Sequence, residues 1–303
     1  MIPLPFMAIL ALFVAIAPSP ATSGRGATPA PVSCNTTQGA CWHPAVDSRW
    51  QYQLQGVSGF ASTGGINTTI SAVPYAGGAA VSPKVFDFDL YTDESVAGNN
   101  TTLNTAAVNA VHARGAGAIC YISAGTWEKW RADANQFPAS VQGAKNGWPG
   151  ERWLDIRKTS VLLPIMEARV QKCREAGFDG IEFDNVDGYS NHTGFPLTTQ
   201  DQLIYDEALA NLAHENGLTA ALKNDVEQVP TLASYFDYAV NEQCQQYNEC
   251  GNYDTDFTAA GKAVFQVEYK LSLAKFCTKA NAANRNAILK DFDLFDKPYT
   301  PCR

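Results

Sequence analysis

Residues 177–189 read GFDGIEFDNVDGY and decide the fold, because they set four carboxylates in a segment that otherwise looks like a buried strand. Side chains of an extended chain alternate, so Ile181 and Phe183 share one face while Glu182 and Asp184 share the other. In a parallel barrel, inward-facing positions at the carboxyl end of a strand open into the active site. We therefore predict that Asp184 lies at the rim of such a barrel and Glu182 one layer deeper.

The other acids of this stretch also have a structural interpretation. Asp179 and Asp187 flank the apolar run and fit loop or capping positions, and Glu182 fits a buried acid satisfied by neighbouring donors. Asp184 is therefore the catalytic candidate of the segment.

Eight short apolar or alternating runs recur along the chain, separated mostly by segments with helical periodicity. This order is typical of βα units and a parallel sheet. Eight strands close a (β/α)8 barrel, whose usual size is about 250 residues, so we predict a single (β/α)8 TIM barrel domain over residues 44–303. The eight predicted strands are residues 50–54, 85–90, 118–123, 180–184, 218–223, 238–242, 263–268 and 286–291.

Three amphipathic helices are predicted between these runs, each followed by glycine, a residue that favours the end of a helix. They cover residues 101–114, 161–176 and 200–216. Residues 56–80 are rich in Gly, Ser and Thr and predict an irregular hairpin or loop in place of the first helix.

The amino-terminal region has the pattern of a secreted protein. Residues 1–21 contain an apolar run followed by small residues, which is typical of a signal peptide, although the lack of Lys or Arg leaves an uncleaved anchor as the alternative. Residues 22–43 are rich in Pro, Gly, Ser, Thr and Ala and predict a linker. We therefore expect an extracellular protein with no membrane segment after signal cleavage.

Eight cysteines, an even number, predict disulfides in a secreted chain. The spacing favours Cys34–Cys41, Cys244–Cys250 and Cys277–Cys302, which leaves Cys120 and Cys173 to form Cys120–Cys173. For Cys120 and Cys173, burial as free thiols in the core is the alternative. Five Asn-x-Ser/Thr sequons agree with secretion and glycosylation. The chain has no CxxC or HExxH pattern, and its four histidines are scattered, so we expect neither a metal nor a cofactor.

The formal net charge of −8 argues against a nucleic-acid partner, whose phosphates would be repelled. It favours a cationic or neutral ligand when combined with an acidic site.

Polar and acidic residues stand at the carboxyl ends of the predicted strands, where packing does not explain them. Hydrolysis of a glycosidic bond needs two carboxyl groups, a proton donor and an anion. We predict that Asp184 and Glu242 form this pair, with Asp184 as nucleophile and Glu242 as acid/base of a retaining reaction. Candidate substrate-binding residues are Asp87, Asp89, Tyr121, Glu182, Lys223, Asn224, Asn241 and Glu268.

Seven short motifs give the chain a resemblance to a known family. They are WQYQLQG at 50–56, FDFDL at 86–90, CYISAG at 120–125, WLDI at 153–156, GIEFDNVD at 180–187, LKN at 222–224 and NEQC at 241–244. Together they resemble glycoside hydrolase family 114, the endo-α-1,4-polygalactosaminidases, from about residue 50 to residue 291. The resemblance implies a (β/α)8 barrel that cuts internal α-1,4 bonds of cationic or partly acetylated galactosamine polysaccharide, with Asp184 and Glu242 at the positions of the catalytic acids.

A second pattern is similar to the DGxDxDxE strand of chitinases, but Val186 stands where their catalytic acid is found. Valine cannot donate a proton, which excludes substrate-assisted chitinase chemistry. The remaining alternatives are an exo-acting, α-galactosidase-like glycosidase and a carbohydrate-binding barrel without catalysis. We expect the protein to act as a monomer.

Overall fold

A computed structural model describes residues 29–36 and 39–303. The predicted signal peptide, residues 1–21, lies outside the described residues. No helix of the described part is both long enough and apolar enough to cross a membrane.

The described residues contain fourteen strands and seven α-helices. The strands are β1 (Asn35–Thr36), β2 (Gly39–Ala40), β3 (Trp50–Gln53), β4 (Val85–Asp89), β5 (Gly117–Ser123), β6 (Thr126–Glu128), β7 (Gln142–Lys145), β8 (Glu151–Leu154), β9 (Gly180–Asp184), β10 (Thr219–Lys223), β11 (Tyr238–Glu242), β12 (Val264–Glu268), β13 (Asn286–Leu289) and β14 (Thr300–Pro301). The α-helices are α1 (Glu94–Ala97), α2 (Thr105–His112), α3 (Thr159–Ala176), α4 (Thr199–Glu215), α5 (Val229–Leu232), α6 (Cys244–Tyr247) and α7 (Leu273–Ala282).

The main sheet is a barrel of parallel strands in the order β3-β4-β5-β9-β10-β11-β12-β13, with β14 antiparallel to β13 at the seam. All eight predicted strands are confirmed, with ends that differ by at most two residues. Side chains complete the seam: the Trp50 indole donates to the Asn286 carbonyl at 2.8 Å, and the Lys290 ammonium donates to the Gln51 side chain at 3.3 Å. The fold is therefore the predicted (β/α)8 barrel.

Local sequence signals explain the helix ends. Thr198 and Asp201 form a capping box at the start of α4, in which each side chain bonds the backbone N–H of the other residue. Gly177 ends α3 with φ of 92°, a left-handed conformation that costs glycine little. The three predicted helices correspond to α2, α3 and α4, while residues 56–80 form the expected irregular segment around a 3-10 helix, Ser58–Thr63.

A small antiparallel sheet that the sequence analysis did not predict lies between β5 and α3. Its strands are arranged in the order β6-β8-β7. The strands are short and only partly apolar, so they lack the clear period that identified the barrel strands. This insertion brings additional side chains to the mouth of the barrel.

Part of the segment expected to be a linker is folded against the barrel instead. The Val32 N–H donates to the Asn211 side chain at 2.7 Å, and β1 pairs with β2. Trp42 covers Gly117 so closely that a Cβ there would lie 2.3 Å from the indole ring. The composition of the segment gave no indication of these contacts. The Trp42 contact and the Cys34–Cys41 disulfide involve only three residues, and they are sufficient to hold the segment in place.

The four disulfides join the pairs expected from the sequence: Cys34–Cys41, Cys120–Cys173, Cys244–Cys250 and Cys277–Cys302. The second connects β5 to α3, and the fourth ties the carboxyl-terminal tail to α7. Among the sequons, Asn67 is buried and donates to Asp296 at 2.8 Å, so a glycan does not fit there.

Candidate active site

The two predicted catalytic acids lie at the carboxyl ends of barrel strands on either side of β10. Asp184 is the last residue of β9 and Glu242 is the last residue of β11, and their side chains are 19% and 28% exposed. Alternation along each strand turns these side chains inward at the mouth. The pair therefore faces a common space.

Lys223, on the intervening strand β10, connects the two acids. Its ammonium lies 3.0 Å from Asp184 Oδ1, 3.5 Å from Glu242 Oε2 and 2.5 Å from Glu182 Oε1. Lys223 and Glu182 are almost completely buried, so little water screens these contacts. One ammonium is thus shared by three carboxylates, two from β9 and one from β11, the strands on either side of β10.

Tyrosine hydroxyls supply the other donors of the cluster. Tyr121 donates to Asp184 Oδ2 at 2.7 Å, Tyr52 donates to Glu182 Oε1 at 2.8 Å, and Tyr269 donates to Glu242 Oε1. Burial, followed by the neighbouring carboxylates, raises the pKa of all three tyrosines well above the ordinary value. The hydroxyls therefore remain protonated and hold the carboxylates in place.

The charge state of Asp184 follows from these contacts. Burial raises the pKa of Asp184, but the Lys223 ammonium and the Tyr121 hydroxyl outweigh that effect and keep the pKa below its usual range. Burial likewise lowers the pKa of Lys223, but Asp184, Glu182 and Glu242 raise it well above the ordinary value. At neutral pH the site therefore contains an ionised Asp184 beside a permanent ammonium.

Two of the predicted substrate-binding acids, Asp87 and Asp89, lie in surroundings different from those of Asp184 and Glu242. Asp87 is buried below Glu182, and its pKa is raised well above the usual range by burial and by the charge of Glu182. Asp89 lines the mouth but is paired with Arg131, whose two terminal nitrogens each bond it at 2.7 Å. Arg131 also bonds Glu128, so this guanidinium from the insertion balances one of the two negative charges of Asp89 and Glu128.

The structure does not turn Asn241 and Glu268 toward the acid pair. The Asn241 side chain accepts from the Cys244 N–H at 2.9 Å, and Glu268 accepts from the Gln245 N–H at 2.8 Å. Both residues hold the loop that follows β11. Asn224 also acts on this loop, because its side-chain oxygen accepts from the Glu242 N–H at 2.9 Å. The strand-end pattern located these residues correctly at the rim but not the face on which their side chains lie.

Tyr269 was not among the predicted site residues, although alternation contains the signal for its direction. Tyr269 follows Val267 by two residues and Phe265 by four, so the three side chains are expected on one face of the chain. Phe265 contacts Trp50 inside the barrel, with ring centroids 5.1 Å apart. The same period turns Glu268 outward and Tyr269 inward. Tyr269 directly follows the last residue of both the predicted strand and β12, so it lay outside the strand residues from which candidates were chosen.

Two adjoining cavities open at the mouth. The first, of about 410 Å³, is lined by Asp184, Tyr121 and residues of the insertion, while the second, of about 330 Å³, is lined by the loops after β9, β10 and β11. Glu242 and Phe292 line both cavities. Phe292 also stacks on Trp148 of the insertion, with ring centroids 5.5 Å apart and planes 9° from parallel. Flat aromatic faces of this kind suit the apolar faces of sugar rings.

Potential metal ligands converge at one place in the part of the chain described by the structure: Cys244, Cys250 and Glu268. The two cysteines form a disulfide, so they do not offer the thiolates that a metal centre uses.

Comparison with known proteins agrees with this arrangement. The sequence profile described as Glycoside-hydrolase family GH114 matches residues 32–303. Among solved structures, Ega3 of Aspergillus fumigatus in complex with galactosamine is 32% identical, covers 86% of this chain and 97% of its own, and superposes with a TM-score of 0.71. The glycoside hydrolase domain of PelA from Pseudomonas aeruginosa shares the fold, with 13% identity, 85% and 98% coverage and a TM-score of 0.56.

A search of curated protein sequences found no significant match. The profile match nevertheless covers almost the whole described chain, and the paired acids occupy the barrel mouth where this class of enzyme carries its catalytic groups. The chain is a member of glycoside hydrolase family 114.

Proposed function

We propose that the protein is a secreted endo-acting hydrolase of α-1,4-galactosaminidic bonds in galactosamine-containing polysaccharide. The observation that carries the proposal is the position of Asp184 and Glu242 in one cavity, both within contact distance of the Lys223 ammonium. Family membership and the similarity to Ega3, whose structure contains galactosamine, support the choice of substrate.

The distances support a retaining reaction. Asp184 Oδ1 and Glu242 Oε2 lie 3.0 and 3.5 Å from the same nitrogen, so they are at most about 6.5 Å apart. Retaining enzymes place their carboxyl groups roughly 5–5.5 Å apart, whereas inverting enzymes need roughly 6.5–9.5 Å to admit a water. The largest possible distance between these two oxygens is thus the lower limit of the inverting range, which favours direct attack by a carboxylate.

In this mechanism Asp184 is the nucleophile, since its depressed pKa keeps it ionised. Glu242 donates its proton to the glycosidic oxygen as the bond to the anomeric carbon breaks, and Asp184 forms the covalent glycosyl intermediate. Glu242 then removes a proton from water, which attacks the anomeric carbon and releases Asp184. Lys223 and Tyr121 stabilise the Asp184 carboxylate before attack and after release.

Internal cleavage is supported by the form of the mouth. Cavities adjoin Glu242 on both sides, so a polymer can extend in both directions from the bond that is cut. An exo-acting enzyme would need a closed end beyond the first sugar. Secretion is supported by four disulfides, which persist in oxidising compartments. We expect a monomer that needs no cofactor.

Digestion of purified α-1,4-galactosamine polymer, followed by mass analysis of the products, tests this function. Internal cuts should give a range of oligomers from the first minutes, and Asp184→Asn and Glu242→Gln should each lower turnover by several orders of magnitude. Glu175→Gln on the exposed side of α3 is the matched control and should retain full activity. Release of single sugars alone would favour the exo-acting alternative, and binding without cleavage would favour a non-catalytic barrel.

Anomeric configuration is read from the same reaction by NMR. A retaining enzyme releases α-configured ends first from the α-linked polymer. If the first product is β-configured, the enzyme inverts and Asp184 is the base that activates water.

A further inference from the structure

A continuous chain of hydrogen bonds connects the insertion to the predicted nucleophile. The Asn185 amide, at the wall of the first cavity, contacts Asp184 Oδ2 at 3.2 Å and the Ser123 hydroxyl at 3.0 Å. The Ser123 hydroxyl contacts the Thr126 hydroxyl at 2.6 Å, and Thr126 contacts Glu151 Oε2 at 3.0 Å. Ser123 and Thr126 are buried, so the protein itself supplies their partners. The chain therefore reaches from the start of β8 to the end of β9 through side chains of β5 and β6.

Glu151 Oε2 is an acceptor at the far end of this chain. The Asn146 side chain also donates to this oxygen, at 2.6 Å. The orientation of that amide is fixed, because its carbonyl oxygen accepts from the Trp148 N–H at 3.0 Å. Since two donors converge on Oε2, this oxygen accepts in both charge states of Glu151, and a proton on the carboxyl group is carried by Oε1.

The direction of every bond in the chain follows from this acceptor, because a hydroxyl has only one proton to donate. Thr126 donates its proton to Glu151 and therefore accepts from Ser123. Ser123 donates to Thr126 and therefore accepts from Asn185, which must present its NH2 group and not its carbonyl oxygen. The second hydrogen of that NH2 group is directed at Asp184 Oδ2. The chain thus selects one of the two orientations of the amide.

The backbone of Asn185 also points to a functional role. Its φ of 63° lies in the left-handed region, which is uncommon for residues other than glycine and is concentrated at functional sites. The Ala124 and Gly125 N–H groups both donate to the Asp184 carbonyl oxygen, at 2.9 and 3.1 Å. A Cβ on Gly125 would overlap the Asn185 carbonyl oxygen, so the glycine lets the two segments pack closely. The turn after β9 is therefore held where the Asn185 side chain reaches the nucleophile.

The donors divide between the two oxygens of the Asp184 carboxylate. Tyr121 and Asn185 contact Oδ2 at 2.7 and 3.2 Å, and Lys223 contacts Oδ1 at 3.0 Å. Donors on both oxygens restrict rotation of the carboxylate and favour its ionised form. The opposite orientation of the Asn185 amide would place a carbonyl oxygen against the carboxylate and would repel it.

We propose that Asn185 is a positioning residue for the Asp184 nucleophile, and that Ser123, Thr126 and Glu151 act through Asn185 by directing its NH2 group toward Asp184. This inference rests on the nucleophilic role proposed for Asp184 above. It gives the insertion a second task besides lining the cavity, because the far end of the chain, Glu151, belongs to β8.

The pKa of Asp184 provides the readout, measured by carbon-13 NMR titration of the carboxyl groups, with Asp184→Asn to assign the signal. Asn185→Gly is the main variant, because glycine keeps the left-handed backbone and removes only the side chain. The variant should raise the pKa of Asp184 and move the acidic limb of the kcat/KM profile to higher pH. It should also lower kcat/KM at neutral pH by about 10- to 100-fold, the size expected for one hydrogen bond to a charged group.

The chain itself is tested by Thr126→Val, which keeps the shape of the side chain and removes its hydroxyl. This variant should raise the pKa of Asp184 by less than Asn185→Gly does, and the matched control Thr126→Ser should leave it unchanged. Because Thr126 acts through Asn185, a double variant of the two should match Asn185→Gly alone. Ser123→Ala interrupts the chain at the next position and gives the same readout if Thr126→Val does not fold.

The outcomes separate this inference from the proposed function. An Asp184 pKa that is the same in wild type and in Asn185→Gly would overturn the positioning role. A shift in Thr126→Val that adds to the shift in Asn185→Gly, or that also appears in Thr126→Ser, would overturn the chain. A wild-type enzyme that cuts no galactosamine polymer would overturn the proposed function, and the NMR titration would still decide whether Asn185 and Thr126 act on Asp184.

Discussion

Replacing Lys223 by methionine removes an ammonium that contacts Glu182, Asp184 and Glu242 but keeps the length of the side chain. Lys223 is 1% exposed and Glu182 is fully buried, so solvent cannot replace the lost charge. Breaking a buried ion pair by removing one partner costs about 3–5 kcal/mol in the free energy of unfolding. At about 2–4 °C per kcal/mol for a domain of this size, the melting temperature should fall by about 6–20 °C.

The loss should depend on pH with a definite sign. The pKa of Asp184 is depressed in the folded protein, so its stabilising contribution is present above the ordinary pKa of an aspartate and disappears as the pH falls through the folded value. Lys223 has a raised pKa, so its contribution is present at all pH values below the ordinary lysine pKa. Both contributions operate at pH 7, whereas the contribution of Asp184 is lost at about pH 2 as its carboxylate becomes protonated, so the variant should lose more stability at pH 7 than at about pH 2.

Urea unfolding of wild type and Lys223→Met at the two pH values measures this difference. Lys275→Met, an exposed substitution on α7, is the control for loss of a positive charge and should change little. Turnover of Lys223→Met should fall by about 100-fold or more, because a preorganised charge at the reacting centre is removed. Equal destabilisation at about pH 2 and at pH 7 would refute the idea that Lys223 stabilises ionised carboxylates.

Four further outcomes are expected. Burial and the charge of Glu128 raise the pKa of Glu151 to about 7 in the folded protein. The unfolded chain therefore loses this proton first as the pH rises, and the stability of the wild type falls. Glu151→Gln lacks this titration, so thermal melts should show it gaining stability relative to wild type between about pH 5 and pH 8. Replacing Cys120 and Cys173 together by alanine opens a link with a sequence separation of 53 and should cost about 4 kcal/mol, and an unchanged urea midpoint would contradict it. Raising salt should slow cleavage of deacetylated polymer by screening, with fully acetylated polymer as the less sensitive control; equal rates for the two polymers at all salt concentrations would contradict an anionic cleft. Trp148→Ala removes the stacking partner of Phe292 and should raise KM more than it lowers kcat, whereas a loss confined to kcat would exclude a role in binding.

The barrel could be predicted from the sequence because its signals are local. Strand alternation, glycine helix ends and the spacing of apolar runs each depend on neighbours within a few residues. Residues 177–189 contained enough of these signals to predict that Ile181 and Phe183 face away from the site while Glu182 and Asp184 face into it. The contacts of Glu182 and Asp184 with Lys223 confirm that direction.

The grouping of charges was decided by the tertiary structure. Sequence patterns located acids and amides at strand ends. They did not show whether each side chain points into the barrel or toward the helices, or which side chains of other strands it contacts. Asn241 and Glu268 therefore hold a loop, although they stand in the same row of strand ends as Asp184 and Glu242. Which acid shares an ammonium with which depends on the stagger of adjacent strands around the barrel, and no single segment contains that information.

The insertion and the amino-terminal segment also make contacts with residues far away in the sequence, and sequence patterns did not predict these contacts. Arg131 neutralises Asp89 across 42 residues, and Trp148 meets Phe292 from a different part of the chain. Val32 bonds Asn211 although its surroundings have the composition of a linker. The sequence by itself determined the barrel and the inward direction of the acids and favoured the cysteine pairs, because each follows from periodicity, count or spacing; the structure decided between a disulfide and free thiols for Cys120 and Cys173. Only the tertiary structure determined the charge balance of the two cavities, because electrostatic pairing depends on distance in space and not on separation along the chain.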